Sequence, residues 1–264
     1  MSKSFWSKYS ERYQKLRSSV CIGLDSGVDK LPACVASAAN PIWEFNRAII
    51  DATHEYATAY KPNLAFYLAD GLRGLEALYQ TVRHIPEDIP VILDCKVGDI
   101  GSTMAGYATA FFKDLKVDAI TINPLMGSDV IKPLLELEHS FAFALALTSN
   151  PGAEDFFHKA DMKRHVADWI NSYDLQRLGA VVGATQTSDL ALMRKLLPQR
   201  VFLIPGVGAQ GGDLQAVLQN AIDTKDDPRI LINSSRAIIF ASKDEDFAAH
   251  AAIAAKELYL ACKM

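Results

Sequence analysis

The amino-acid sequence predicts an α/β protein, a (β/α)8 TIM barrel formed by residues 1–264 as a single domain. The chain contains eight short apolar runs rich in β-branched residues, with helix-patterned segments between them. Strands that alternate with helices form parallel sheets, and eight such units close into a barrel, for which 264 residues suffice. A doubly wound open sheet is the structural alternative. It usually has fewer strands, however, and the first strand-to-helix turn lacks its GxGxxG fingerprint.

The predicted strands lie at Val20–Leu24, Thr58–Tyr60, Val91–Leu93, Ala119–Ile122, Phe141–Leu147, Ala180–Val182, Val201–Ile204 and Ile230–Ile232. Helical patterns separate them and follow the last one, at Pro41–Tyr56, Leu72–His84, Thr103–Leu115, Ser128–Leu137, Met162–Tyr173, Ser188–Leu197, Gly212–Asn220 and Phe247–Ala261.

A further helix is expected before the first strand, over about residues 4–16. Phe5, Tyr9, Tyr13 and Leu16 fall on one face of this helix. That face can cover the bottom of the barrel or pack on a partner. We expect it to pack against the core, with the helix outside the barrel.

Composition and charge exclude several classes of function. A net charge of −4 gives no basic field for nucleic acid or an anionic membrane surface. Residues 1–19 lack the apolar centre of a signal peptide, and no apolar run is long enough to span a membrane. The four cysteines form no CxxC pair, and the six histidines form no HxH or HExxH pair. We therefore expect a cytoplasmic protein that acts on a small molecule, without a metal, a nucleic-acid partner or a membrane partner.

Residues 92–103, ILDCKVGDIGST, are the most informative stretch of the chain. An apolar run predicts a buried strand, and two carboxylates, Asp94 and Asp99, bracket the ammonium of Lys96 at its end. Strand side chains alternate between faces, so Asp94 and Lys96 point the same way, about 7 Å apart along the strand. Such a cluster is costly to bury. It therefore indicates a site where a lysine is held protonated to deliver a proton.

Polar groups follow nearly every predicted strand, at the end where barrels build their active sites. They are Asp25, Lys61, Asp94 with Lys96, Asn123, Thr148 to Asn150, Pro205 with the glycine-rich turn behind it, and Asn233 to Arg236. Each alone could be a capping, solvated or ion-paired residue. Their common position at one rim favours a functional site.

The turn after the seventh predicted strand is typical of a phosphate site. Gly206, Gly208, Gly211 and Gly212 allow close approach of a ligand and supply backbone N–H donors. Barrels bind phosphate in the loops after strands seven and eight, and Arg236 at the end of strand eight can grip a phosphate with two N–H groups. The ligand is therefore expected to be a phosphorylated small molecule.

The residues present favour lysine and carboxylate chemistry, because the chain has no evident Ser-His-Asp set and no GxSxG motif. Lys61 and Lys96 would alternate with Asp94 and Asp99. Adjacent carboxylates keep a partly buried lysine protonated, which makes it a poor nucleophile and a good general acid. Decarboxylation fits this pattern, since Lys96 would stabilise the developing negative charge and then deliver a proton.

These segments resemble, in order, the signature of the orotidine 5′-phosphate decarboxylase family, most of all its longer bacterial subgroup. The matching segments are residues 94–103 (DCKVGDIGST), 61–63 (KPN), 148–152 (TSNPG), 205–212 (PGVGAQGG) and 234–236 (SSR). The whole set is highly specific, whereas DxKxxD alone is shared with sugar-phosphate relatives. Cys95 and Val97 depart from the pattern, since the family often has a small and a basic residue there, but neither position carries a catalytic role.

The resemblance implies a metal-free and cofactor-free conversion of orotidine 5′-monophosphate to UMP and CO2 in pyrimidine biosynthesis. It implies that Lys96 protonates C6, that Asp94 lies beside the substrate carboxylate, and that Lys61 bridges the charged array and the ribose. The other implied contacts are Asp25 with the ribose hydroxyls, Ser149 with the pyrimidine amide, Pro205 with the ring, and Gln210 and Arg236 with the phosphate. A homodimer with shared active sites is also implied, with Asp99 and Thr103 reaching into the neighbouring subunit's site.

Two alternatives remain open. The first is a sugar-phosphate decarboxylase or aldolase-like relative on the same barrel, some of which need a divalent metal. Lys61 stands where a metal site would have an acidic side chain, which argues against a metal-dependent relative. The second is a phosphometabolite-binding barrel without catalysis, which should lack part of the charged array, yet all four members are present.

Overall fold

The computed structural model describes residues 3–183, 187–207, 213–224 and 226–264. Within these ranges the strands are β1 Val20–Leu24, β2 Ala59–Pro62, β3 Ile92–Val97, β4 Ala119–Ile122, β5 Phe141–Leu147, β6 Leu178–Val182, β7 Phe202–Ile204 and β8 Ile230–Ser234. They pair in parallel in the order β2-β1-β8-β7-β6-β5-β4-β3. Parallel bridges from Tyr60 to Val91 and from Asn63 to Asp94 join β2 to β3. The sheet therefore closes on itself, which confirms the predicted (β/α)8 barrel over the open sheet.

The helices follow the predicted alternation with the strands. They are α1 Phe5–Leu16, α2 Ala33–Ala36, α3 Pro41–Thr53, α4 Leu64–Leu68, α5 Gly71–His84, α6 Gly101–Ala108, α7 Ser128–Leu135, α8 Ala153–Phe156, α9 Met162–Asn171, α10 Thr187–Leu196, α11 Leu214–Ala221, α12 Arg236–Ile239 and α13 Phe247–Ala261. The predicted helix at Thr103–Leu115 instead begins at Gly101 and continues beyond Ala108 as a π-helical segment, Thr109–Asp114. Of the helices described, none is long and apolar enough to cross a bilayer.

Alternation along the strands divides the core into two layers. Every second strand residue faces the barrel interior, and these side chains form one buried cluster: Cys21, Ala59, Ile92, Ala119, Phe141, Phe143, Leu145, Val181, Val201, Leu203 and Leu231. The residues between them pack outward against the helices in a second, larger cluster. The interior is filled by side chains, so a ligand can enter only at an end of the barrel.

Helix α1 covers the amino-terminal end of the barrel. The ring of Phe5 is fully buried and lies 4.4 Å from that of Phe141 and 5.4 Å from that of Phe143, centroid to centroid. The Tyr9 hydroxyl donates a hydrogen bond to the carbonyl of Ile230, at the start of β8. Helix α1 closes this end, so the opposite, carboxyl end is where a site can form.

Three strands run further than the apolar pattern predicts. Strand β2 continues to Pro62, β3 to Val97 and β8 to Ser234, whereas the apolar runs end at Tyr60, Leu93 and Ile232. For β2 the ladder persists because Gly23 and Leu24 of β1 still pair with Lys61 and Pro62. Lys61, Asp94 and Lys96 therefore project from strands, which hold them more rigidly than loops would.

Candidate active site

A cavity of about 450 Å³ opens at the carboxyl ends of the strands. Leu145, Val181 and Leu203 of the interior cluster contribute its apolar lining. The polar lining consists of Asp25, Lys61, Asn63, Asp94, Lys96, Thr121, Thr148, Ser149, Asn150, Asn233, Ser234, Ser235 and Arg236. This combination of apolar surface and convergent polar groups is typical of a small-molecule site.

Four charged side chains form an alternating row along one wall of the cavity. The Lys61 Nζ lies 2.8 Å from Asp94 Oδ2 and 4.0 Å from Asp25 Oδ1. The Lys96 Nζ lies 2.5 Å from Asp94 Oδ1. The row Asp25–Lys61–Asp94–Lys96, called the charged row below, therefore carries two positive and two negative charges in contact.

The interior members of the charged row remain ionised despite their burial. Burial by itself would lower the pKa of Lys61, but Asp94 and Asp25 outweigh it and raise the pKa above its ordinary value. Burial would likewise raise the pKa of Asp94, but Lys61 and Lys96 together hold it well below its usual range. At neutral pH the cavity therefore presents a fixed ammonium and a fixed carboxylate side by side.

Lys96 differs from Lys61 in exposure and in backbone conformation. Its side chain is 49% exposed, whereas that of Lys61 is 5% exposed. Its φ of 46° lies in the left-handed region, a conformation that costs a non-glycine residue about 1–3 kcal/mol and is concentrated at functional sites. Lys96 is therefore the lysine that can reach further into the cavity, while Lys61 is fixed in the cavity wall.

The structure alters the expected arrangement of carboxylates around the lysines. The sequence pattern placed Lys96 between Asp94 and Asp99, but in the described chain Lys96 pairs with Asp94, and the lysine between two carboxylates is Lys61. Sequence spacing alone cannot show that Asp25, which follows β1 on the other side of β2 from Asp94, approaches Lys61. Within one chain, Asp25 therefore supplies the second carboxylate of the row.

Asp99 and Thr103 do not line the cavity that the described residues enclose. Asp99 Oδ1 accepts a hydrogen bond from the N–H of Ile100, and Thr103 is exposed on α6. Gly98, just before them, passes so close to β4 that an added Cβ would stand 2.7 Å from the Asn123 carbonyl oxygen. Within one chain these two residues are therefore separate from the charged row.

Pro205, Ser149 and Arg236 lie around the same cavity, as the sequence analysis expected. Arg236 begins α12 directly after β8, and Ser234 and Ser235 beside it also line the cavity. Gln210 and three of the four glycines of its turn, Gly208, Gly211 and Gly212, fall outside the described residues.

Thr121 of β4 is a site residue that sequence reasoning missed. It is 1% exposed, and its hydroxyl donates a 2.9 Å hydrogen bond to Asp94 Oδ1. Strand periodicity carried a signal for it, because Thr121 lies two residues after the inward-facing Ala119 and is the polar member of an otherwise apolar strand. Asp94 thus has three donors: Lys61, Lys96 and Thr121.

The charged row is suited to proton delivery and to stabilising negative charge. Among the residues the structure describes, no three His, Cys, Asp or Glu side chains are grouped to hold a metal ion. A protonated Lys96 beside an apolar surface can instead stabilise an anion on a bound substrate and then protonate it.

The chain is similar to known proteins in both sequence and structure. The family model described as Orotidine 5′-phosphate decarboxylase / HUMPS family matches residues 18–252. An orotidine 5′-phosphate decarboxylase of Christiangramia forsetii is 45% identical over 247 residues, which cover 90% of each chain. The structure of Leishmania donovani OMP decarboxylase superposes with a TM-score of 0.81 and 35% identity, over 97% of this chain and 99% of that one.

A longer protein contains the same fold. The structure of Leishmania donovani UMP synthase superposes with a TM-score of 0.84 and 37% identity over 97% of this chain, which spans 57% of that protein. The family match extends from before β1 to within α13, so it includes every strand of the barrel. The resemblance predicted from the motifs is confirmed, and the chain belongs to the orotidine 5′-phosphate decarboxylase / HUMPS family.

Proposed function

We propose that this protein is a carboxy-lyase that converts orotidine 5′-monophosphate into UMP and CO2, a step of pyrimidine biosynthesis. The charged row on one wall of the cavity carries the proposal, because it pairs a fixed carboxylate with an exposed ammonium. The orotidine 5′-phosphate decarboxylase of Christiangramia forsetii, which is similar over 90% of both chains, supports the proposal. A cytoplasmic location is part of the same proposal.

In this proposal the phosphate, the ribose and the pyrimidine of the substrate each contact a different part of the cavity rim. Arg236, with Gln210, binds the phosphate at the end formed by β7 and β8, and Asp25 and Lys61 hold the ribose hydroxyls. The Asp25 side chain lines the cavity and is 18% exposed, which leaves it available to a hydroxyl. Ser149 contacts the pyrimidine amide, and Pro205 lines the ring.

In this orientation the pyrimidine C6 and its carboxylate lie over Lys96 and Asp94. The bond between C6 and the carboxylate carbon breaks, CO2 departs, and the electron pair stays on C6. The Lys96 ammonium stabilises this negative charge and transfers a proton from Nζ to C6, and the lysine then regains a proton from water. The ionised Asp94, held by three donors, also repels the substrate carboxylate, which adds a smaller contribution.

The chemistry requires neither a metal nor a cofactor in this proposal. The charged row supplies both the electrostatic stabilisation and the proton, and Lys61 remains bound to Asp94 throughout. Because Lys61 compensates the charge of Asp94, Lys96 is free to exchange its contact with Asp94 for one with C6.

We also propose a homodimer in which Asp99 and Thr103 complete the neighbouring subunit's site. Their separation from the charged row of their own chain supports this arrangement. Exposed apolar side chains lie on the same rim, with Ile100 52%, Leu125 64% and Met126 56% exposed. Apolar groups of this size, clustered and exposed, mark association surfaces.

Mixing two inactive variants tests the shared sites. Lys96→Ala and Asp99→Ala are each expected to lose activity alone, but their mixed dimer contains one site with an intact Lys96 and an intact partner Asp99. Random mixing should restore about a quarter of the wild-type activity, because half the dimers are mixed and each has one working site. Activity that stays at the average of the two separate variants would contradict the shared site.

Absorbance assays with orotidine 5′-monophosphate test the proposed reaction directly, with and without EDTA. We expect conversion to UMP at the same rate in both, and no turnover of sugar phosphates. A large loss of activity with EDTA would favour the metal-dependent sugar-phosphate relatives instead. Tight binding of the nucleotide without turnover would favour a binding barrel.

Arg236→Ala tests the phosphate end of the cavity. Hydrogen bonds to a charged group contribute about 1.5–3 kcal/mol, so KM for the substrate should rise roughly 10- to 100-fold. The kcat falls as well if binding energy from the phosphate drives closure of the site. Steady-state kinetics measure both, with the exposed Lys243→Ala as a control for loss of one positive charge. An unchanged KM in Arg236→Ala would contradict the phosphate assignment.

A further inference from the structure

The ladder between β3 and β4 is interrupted beside Asp94. Ile92 and Leu93 pair with Ala119 and Ile120, but the next pair joins Val97 to Ile122. Three β3 residues, 94–96, therefore stand opposite the single residue Thr121 on β4. Such a bulge leaves backbone amides without ladder partners.

The Thr121 hydroxyl supplies the missing partners. Its Oγ1 accepts hydrogen bonds from the backbone N–H of Cys95 at 3.1 Å and of Lys96 at 2.9 Å. Its proton is donated to Asp94 Oδ1 at 2.9 Å. A hydroxyl has one donor and two acceptor positions, so this one, 1% exposed, is fully used.

These three bonds connect the two halves of the reacting pair. The bonds from Cys95 and Lys96 hold the backbone at the point where Lys96 adopts its φ of 46°. The bond to Asp94 fixes the same carboxylate oxygen that Lys96 Nζ contacts at 2.5 Å. One side chain from the neighbouring strand thus sets the position of the Lys96 backbone and of its carboxylate partner together.

We propose that Thr121 is a positioning residue of this active site. Its hydroxyl holds Lys96 and Asp94 in a fixed position relative to each other. The proposal rests on the proposed decarboxylase function and deepens it. Thr121 supports the left-handed turn at Lys96 by bonding the amides that this turn takes out of the ladder. Without the hydroxyl, Lys96 and Asp94 lose their fixed relation, while the phosphate end of the cavity is unaffected.

Thr121→Val removes the hydroxyl at nearly constant volume, and Thr121→Ser retains it. We expect Thr121→Val to lower kcat roughly 100-fold, because misplacement of a reacting group by about 1 Å has an effect of that size. KM and the affinity for UMP should stay within about threefold, since phosphate binding dominates them. Thr121→Ser should recover most of the lost kcat.

Thr58→Val is the matched control for loss of a buried hydroxyl. Thr58 is fully buried at the opposite end of the barrel and donates to the Ser18 carbonyl at 2.6 Å. The Thr58→Val variant should lower the melting temperature about as much as Thr121→Val does, without lowering kcat. A kcat in Thr121→Val within about threefold of wild type, or a Ser variant as slow as the Val variant, would overturn the proposal.

Backbone amide hydrogen exchange provides a readout that does not depend on the reaction. The amides of Cys95 and Lys96 should exchange faster in Thr121→Val than in wild type or Thr121→Ser, whereas other β3 amides should not. Equal protection in all three proteins would overturn the role of the hydroxyl. If wild type fails to convert orotidine 5′-monophosphate, the proposed function fails, and the exchange rates still decide whether Thr121 holds the bulge.

Discussion

Lys96→Ala should abolish decarboxylation while leaving much of the nucleotide affinity intact. The substitution removes both the charge that stabilises the C6 anion and the proton that quenches it. General acid catalysis and electrostatic stabilisation each contribute about 10²-fold or more, so kcat should fall at least about 10⁴-fold. An absorbance assay measures the loss of turnover, and calorimetry with UMP measures the remaining nucleotide affinity separately.

Partial survival of binding follows from the position of Lys96 in the cavity. Its side chain is half exposed and pairs with Asp94, and Arg236 and Lys61 remain in the cavity to hold the phosphate and the ribose. The exposed Lys113→Ala, on the π-helical segment after α6, serves as the matched control and should behave as wild type. Turnover in Lys96→Ala within about tenfold of wild type, a loss of only about 1.4 kcal/mol, would rule out the assigned role.

Asp94→Asn should impair catalysis and also weaken the fold. The amide keeps the shape of the carboxylate but leaves the ammonium of Lys61, 5% exposed, with only Asp25 at 4.0 Å. Breaking a buried charge pair on one side destabilises a protein by about 3–5 kcal/mol. The kcat should fall at least about 100-fold, because Lys96 loses the carboxylate that positions it.

The stability loss in Asp94→Asn should depend on pH with a definite sign. The native pKa of Asp94 lies below its unfolded value, so its ionised form stabilises the protein above about pH 4, and this contribution is lost as pH falls. Urea unfolding should therefore show a large difference between wild type and Asp94→Asn at pH 7 and a smaller one near pH 3. Asp168→Asn, on the exposed surface of α9, is the control. A difference that stays constant over this range would contradict the charged pair.

Much of the fold could be predicted from the sequence because strand periodicity and apolar runs are local signals. Strands β1, β4 and β5 have the predicted bounds, as does α13. The ends of β2, β3 and β8 were predicted too early because the apolar pattern stops where side chains begin to line the cavity. The ladder there depends on pairing with a neighbouring strand, which local sequence does not encode.

The site could be predicted in part for the same reason. Asp25, Lys61, Asp94 and Lys96 were identified because each lies at a strand end, where barrels place their chemistry. Their order in the charged row could not be predicted, since it depends on how β1, β2 and β3 lie side by side. The contribution of Thr121 depends on a bulge in β3 that changes the register with β4.

The most direct measurement of the central claim is the stoichiometry of products from orotidine 5′-monophosphate. Chelator-treated protein should release one CO2 for each UMP formed, until the substrate is consumed. The charged row predicts this outcome because it contains the proton donor and the carboxylate partner that the reaction needs. Unchanged substrate, or release of CO2 only after a metal is added back, would contradict it.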